Sequence, residues 1–139
     1  AVLPAACHPA ADRDGAPDLP TMRRYTSQGG HFLFHNDLDR AAARRSLSVT
    51  LLDAKGRFTR MGAEVRLYDK SGKILATRQL STGDGYNSEN AAPMHFGLKS
   101  MDAVKVEVTW MSANGRKIQG LANVKPYRYL GRSLLIKEQ

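Results

Sequence analysis

Apolar and polar side chains alternate with period two in three stretches of this chain. Leu47, Val49 and Leu51 interleave with Ser46, Ser48 and Thr50; Ala63, Val65 and Leu67 interleave with Glu64, Arg66 and Tyr68; Val104, Val106, Val108 and Trp110 interleave with Lys105, Glu107 and Thr109. Successive side chains on a strand point to opposite faces, so each stretch predicts a half-buried strand with its apolar set on the core. Trp110, in phase with the valines, belongs to that core. The short apolar run His31-Phe-Leu-Phe34 and residues 94–98, 117–121 and 127–137 read as further strands. Asp69-Lys-Ser-Gly72 is a turn, making residues 63–80 a hairpin. Between the first two strands, residues 37–45 start acidic, end basic and favour helix, which predicts a turn or two of helix there. About eight short strands with turn signals every 8 to 12 residues indicate an all-β chain, an antiparallel β-sandwich with an extended N-terminal tail.

The tail precedes a boundary near Gly29-Gly30, dividing the chain into residues 1–29 and a sandwich at 30–139. Four of the six prolines lie in residues 1–20, and hydrophobic periodicity is missing there, so no element is predicted. Ordering such a segment costs roughly 1–2 kcal/mol per residue in backbone entropy, so it needs a surface to lie on. The expected surface is a protein partner or larger assembly contacting residues 1–29.

At 139 residues and 42% hydrophobic content the chain is long enough for one core and short for two. No stretch approaches the roughly 20 apolar residues of a membrane span, so no transmembrane segment is expected. A formal charge of +8 favours acidic partners, an acidic polysaccharide or acidic protein among them. Lys and Arg are scattered from Arg13 to Lys137, densest at Arg23-Arg24, at Arg40 with Arg44-Arg45, and at Lys55, Arg57 and Arg60. That scatter speaks against specific nucleic-acid binding. Cys7 is the single cysteine and cannot form an internal disulfide. No signal peptide is visible at Ala1, so any such signal is expected upstream and removed.

Residues 81–98 hold three glycines, two of them, Gly83 and Gly85, in a polar cluster between apolar strands, more than a β-fold requires. Asp84, Tyr86, Asn87, Ser88, Glu89, Asn90 and His95 are the candidate ligand-binding residues: the tyrosine can stack on a sugar and the amides and carboxylates can bond its hydroxyls. Asp84, Glu89 and His95 could also form an acid-base group. Against that, His95 sits in an apolar strand beside Phe96, and Gly83, Asp84 and Gly85 are ordinary turn chemistry. No nucleophile elbow or phosphate loop occurs, and the one His-x-x-x-His spacing, His31 to His35, falls in a strand-like run, so the chain is expected not to be an enzyme. His31 and His35, four residues apart on a strand, would stand about 13 Å apart, too far to share a metal.

Five motifs together resemble the ASPIC/UnbV domain: Leu33-Phe-His-Asn36, Gly62-Ala-Glu-Val65, Gly85-Tyr-Asn-Ser-Glu89, His95-Phe-Gly-Leu98, and Val106-Glu-Val-Thr-Trp110 with Ser112 and Gly115. The resemblance spans residues 32–138. Glu89 stands where the family pattern has Gln, and the segment from Trp110 to Gly115 is longer than the family's Trp-Pro-Ser-Gly. Such domains lie at the C-terminal end of secreted proteins built from FG-GAP/VCBS propeller repeats. The resemblance therefore implies a secreted, periplasmic or cell-surface interaction module for adhesion, assembly or surface attachment. A carbohydrate- or anionic-polymer-binding domain using loop 84–90 is the alternative. Upstream, Asp12-Arg-Asp-Gly-Ala-Pro-Asp18 looks like an incomplete FG-GAP/VCBS calcium loop, in which Asp12, Asp14 and Asp18 would supply carboxylates to Ca²⁺. Ala10 occupies the first ligand position. A chain of this length without its propeller is expected to be a fragment or a module that has lost one.

Overall fold

A computed structural model describes residues 19–23, 30–34, 37, 39–81, 83 and 93–139. Nine strands are seen in it: β1 (Leu19–Arg23), β2 (Gly30–Phe34), β3 (Ser46–Leu52), β4 (Glu64–Tyr68), β5 (Ile74–Gln79), β6 (Met94–Gly97), β7 (Val104–Ser112), β8 (Gly115–Val124) and β9 (Leu134–Lys137). One short helix, α1 (Arg40–Ala43), precedes β3, and a 3-10 turn at Pro126–Tyr129 precedes β9. The chain forms two compact units, Ala1–Arg44 with Ser81–Ala91, and Arg45–Leu80 with Ala92–Gln139.

In the first unit β1 and β2 pair antiparallel, from Leu19 opposite Phe34 to Arg23 opposite Gly30. β1 lies in the stretch where no element was predicted. Pro20 is compatible with it because a two-stranded ribbon has an outer edge that needs no donor. The predicted helical turn is α1. Its N-cap, Asp39, accepts from the Ala41 and Ala42 amides through Oδ1, both at 2.9 Å, satisfying two donors that a helix start leaves unpaired.

The second unit is the sandwich. One sheet has the order β6-β3-β9 and the other β5-β4-β7-β8. Leu47, Val49 and Leu51 of β3, Met94 and Phe96 of β6, and Leu134 and Ile136 of β9 face Val65 and Leu67 of β4 and the Val104–Trp110 stripe of β7 in a single buried cluster. Register explains the match: Val65 stands opposite Val108, Leu67 opposite Val106, and Leu47 opposite Phe96, so the apolar sets share one face. Each such side chain stabilises the fold by about 1.5–3 kcal/mol relative to exposure. The Asp69–Gly72 turn closes the β4–β5 hairpin as expected, with Gly72 at φ 84.

The far end of the chain differs from the expected strand at 127–137. Pro126 lacks an amide donor and starts the 3-10 turn, and Gly131 at φ 73 redirects the backbone, so only Leu134–Lys137 is strand. This detour carries the chain from β8 in one sheet to β9 in the other. There β9 pairs with β3 in parallel, the one departure from antiparallel pairing within the sandwich.

A polar latch joins the sheets beside this crossover. The Trp110 indole Nε1 donates to Gln119 Oε1 at 2.8 Å, and Gln119 Nε2 donates to the Lys137 carbonyl at 3.1 Å. β8 also carries a bulge, where its register shifts against β7 and Asn123 adopts φ 56. Asn tolerates that left-handed conformation better than most residues.

Candidate functional site

Of the candidate residues named from the sequence, Asp84, Tyr86, Asn87, Ser88, Glu89 and Asn90 lie outside the described residues, as do Asp12, Asp14 and Asp18. His95 is described. It lies on β6 directly opposite Ser48 of β3, on the face away from the core, half-buried, with Ser48 Oγ 3.4 Å from Nδ1. Burial, and secondarily the charge of Arg78, lower its pKa, so the ring is neutral at neutral pH.

The most densely bonded polar group in the sandwich is one that the sequence reading passed over. Asp53 follows β3 and is only 3% exposed. Its Oδ1 accepts from the amides of Lys55 and Arg57, both at 2.8 Å, and its Oδ2 accepts from Arg57 Nε and Thr59 Oγ1, both at 3.0 Å. The backbone closes the same ring, Asp53 N to Arg57 O and Gly56 N to Asp53 O, both 2.8 Å. The Arg57 amide is the strongest influence on the carboxyl. Together with Thr59, the Arg57 guanidinium and Lys55 it outweighs burial and holds the group well below the usual carboxylate range. Loop 53–60 is thus braced by one ionised side chain.

Sequence did hold a signal for this brace. Asp53-Ala-Lys-Gly56-Arg57 has the same spacing as Asp69-Lys-Ser-Gly72-Lys73, which was recognised as a turn. The two loops share their bonds: Asp69 Oδ1 accepts from the Ser71 and Lys73 amides at 2.8 and 2.9 Å, and Asp69 N donates to Lys73 O at 2.9 Å. Glycine occupies the fourth position in both, at φ 80 and 84, where an L side chain would be strained. At Asp69 the Ser71 hydroxyl is the main group lowering the carboxyl pKa, followed by the Lys73 amide.

The Asp53 loop carries exposed side chains outward. Phe58 is 37% and Met61 40% exposed, alongside the cations Lys55 and Arg57. Arg60 pairs with Glu138, and the Glu138 amide donates to Leu52 O at 2.9 Å, which anchors the end of the loop beside β3. On the outer face of the four-stranded sheet, Glu107 accepts from Tyr68 Oη at 2.9 Å and from Lys105 Nζ at 3.1 Å, and Lys105 also lies 5.0 Å from the Tyr68 ring centroid. The Lys105 bond, then the Tyr68 bond, lower the Glu107 pKa. Carboxylates held this way brace the surface and leave cationic and apolar groups facing outward. No group of three or more possible metal-ligating side chains occurs among the described residues.

Fold and surface together define an all-β sandwich module with braced loops. The sequence model of the ASPIC and UnbV family matches residues 54–139, more than half of the chain, and the chain belongs to that family. The match takes in β4 to β9 and begins one residue after Asp53. Membership is that of an extracellular or surface module. No helix among the described residues is long and apolar enough to cross a membrane. No curated protein and no solved structure matches the chain.

Proposed function

We propose that this protein is a non-catalytic interaction and assembly module of a secreted, periplasmic or cell-surface protein, acting in adhesion or surface attachment. The observation that carries the proposal is the Asp53 loop. A buried carboxylate with every acceptor position used holds Phe58 and Met61 out to solvent, and rigid display of apolar side chains lowers the ordering cost of binding a protein partner. Residues 1–29 supply a second contact to that partner, and Asp12, Asp14 and Asp18 hold Ca²⁺ as the remnant of an FG-GAP/VCBS repeat. A photo-crosslinking amino acid at position 58 of the full chain tests the loop, with position 77 on β5 as control. Covalent capture of one protein from position 58 and not from 77 is the expected result. Equal capture from both, or none from either, would contradict it. A glycan array tests the alternative carried by loop 84–90: saturable sugar binding abolished by Tyr86→Ala would replace the protein-partner reading.

A further inference from the structure

The sixteen Lys and Arg residues of the sandwich unit outnumber its Asp and Glu by ten, whereas the rest of the chain carries five against seven. Each of the six carboxylates is engaged inside the unit. Asp53, Glu64, Glu107 and Glu138 form ion pairs, Asp69 caps its turn, and Asp102 accepts from Ser100 Oγ at 2.8 Å. The field left over is positive, and folding concentrates it. Residues 108–137 contain six cations and no carboxylate. β8 and β9, which carry Arg116, Lys117 and Lys137, are the terminal strands of their sheets and meet at one edge, where Gln119 bonds the Lys137 carbonyl and the Lys117 ammonium bonds the Gln139 carbonyl. Arg116, Lys117 and Lys137 stand toward one end of that edge and Lys125, Arg128 and Arg132 toward the other.

The second end has a shallow recess. An open cavity of about 480 Å³ is lined by Tyr129, Arg132, Ser133, Leu134 and Leu135. Arg132 lies 5.6 Å from the Tyr129 ring centroid and its Nε donates to the Arg128 carbonyl at 3.0 Å. Those two contacts orient the guanidinium and leave its terminal nitrogens for an anion, which a carboxylate or sulfate can take in bidentate fashion. Tyr129 and Ser133 bring hydroxyls of the kind that bond sugar hydroxyls.

We propose that the β8–β9 edge binds an acidic polysaccharide, with uronate or sulfate groups spaced along the cations and one sugar seated in the Tyr129–Arg132 recess. A linear polyanion can span two groups of cations at the ends of a narrow edge. An anionic lipid surface would need a broad face, and the extracellular setting of the family favours a glycan over a nucleic acid. The inference rests on the surface-module reading but concerns an edge separate from the Phe58 loop.

Binding of the full chain to an alginate oligosaccharide and to dextran sulfate is measured by titration calorimetry in about 0.1 M salt, where charges beyond about 10 Å are screened. Two charge-matched variants are compared: Lys117→Gln with Lys125→Gln, Arg128→Gln and Arg132→Gln at the edge, and Lys55→Gln with Lys70→Gln, Lys73→Gln and Lys99→Gln elsewhere. The edge variant should lose affinity by roughly tenfold or more and the control by less than about threefold. Amide-shift mapping on the unmodified chain, which needs no variant to fold, should place the perturbed resonances in residues 116–137. Equal loss in both variants, shifts elsewhere, or no binding of either polysaccharide would overturn the inference. So would tighter binding to single-stranded DNA or phosphatidylserine vesicles. If the polysaccharides fail while position 58 still captures a protein, the inference falls and the module reading stands.

Discussion

Replacing Gln119 by Ala removes the amide that joins the two sheets. Trp110 is fully buried, and its indole Nε1 donates to Gln119 Oε1 at 2.8 Å, so the substitution leaves a donor in the core without an acceptor. A buried unsatisfied donor costs about 1–3 kcal/mol. The second bond, from Nε2 to the Lys137 carbonyl, is open to water and adds little when it is lost. Each kcal/mol lowers the melting temperature by roughly 4–8 °C in a unit of about 60–100 residues, so a fall of at least about 4 °C is expected. Thermal melts of four proteins check the reasoning: unmodified, Gln119→Ala, Trp110→Phe and the double variant. With Phe at 110 there is no indole N–H to strand, so Gln119→Ala should cost less than about 0.5 kcal/mol there, giving a coupling of about 1 kcal/mol or more. The same cost in both backgrounds, or a fall under about 2 °C in the first, would refute the latch.

Asp53 ties stability to pH. Its folded pKa is depressed by the Arg57 amide and its companions, so the stabilisation is present above the unfolded value of about 4 and is lost as pH falls toward the folded one. Asp53→Asn should melt lower at pH 7 and show a flatter acid limb than the unmodified chain; parallel acid limbs would contradict this. Gly72→Ala should cost about 1–2 kcal/mol through its φ of 84 although no atom lies within 4 Å, whereas Gly97→Ala on β6 should cost nothing; equal melting shifts would remove the conformational explanation. His95, neutralised by burial, should titrate by NMR below about 6.5, and a midpoint at or above that value would contradict its placement. If Asp12, Asp14 and Asp18 hold calcium, chelation lowers the melting temperature, and an unchanged curve rejects the site.

The sandwich was legible where one face is buried and the other wet. Val104, Val106, Val108 and Trp110, like Val65 with Leu67 and Leu47 with Val49 and Leu51, alternate because the pleat sends them to one core. β5 is an edge strand with mostly exposed side chains, and only the Asp69–Gly72 turn before it made it visible. β1 was hidden by proline and by needing β2 as a partner. Residues 127–137 looked like a strand because tyrosines and isoleucine favour strands, while the decisive features were backbone ones, Pro126 and Gly131. The parallel direction of β9 was beyond reach because alternation encodes a face and carries no information about a partner's direction. Asp53 escaped because an aspartate beside Lys and Arg reads as a solvated loop residue, and its burial follows from a fold that brings Thr59 and Arg57 around it. Its spacing to Gly56, repeated at Asp69 and Gly72, was the available clue.

Retention of the protein at its native surface or assembly tests the interaction-module account most directly. Phe58→Ala combined with Met61→Ala removes the two exposed apolar groups while leaving Asp53, Arg57 and Thr59 to brace the loop, so the melting temperature should hold within about 2 °C. This variant should be released into the soluble fraction at least about tenfold more than the unmodified chain. Full retention of a folded double variant would contradict it.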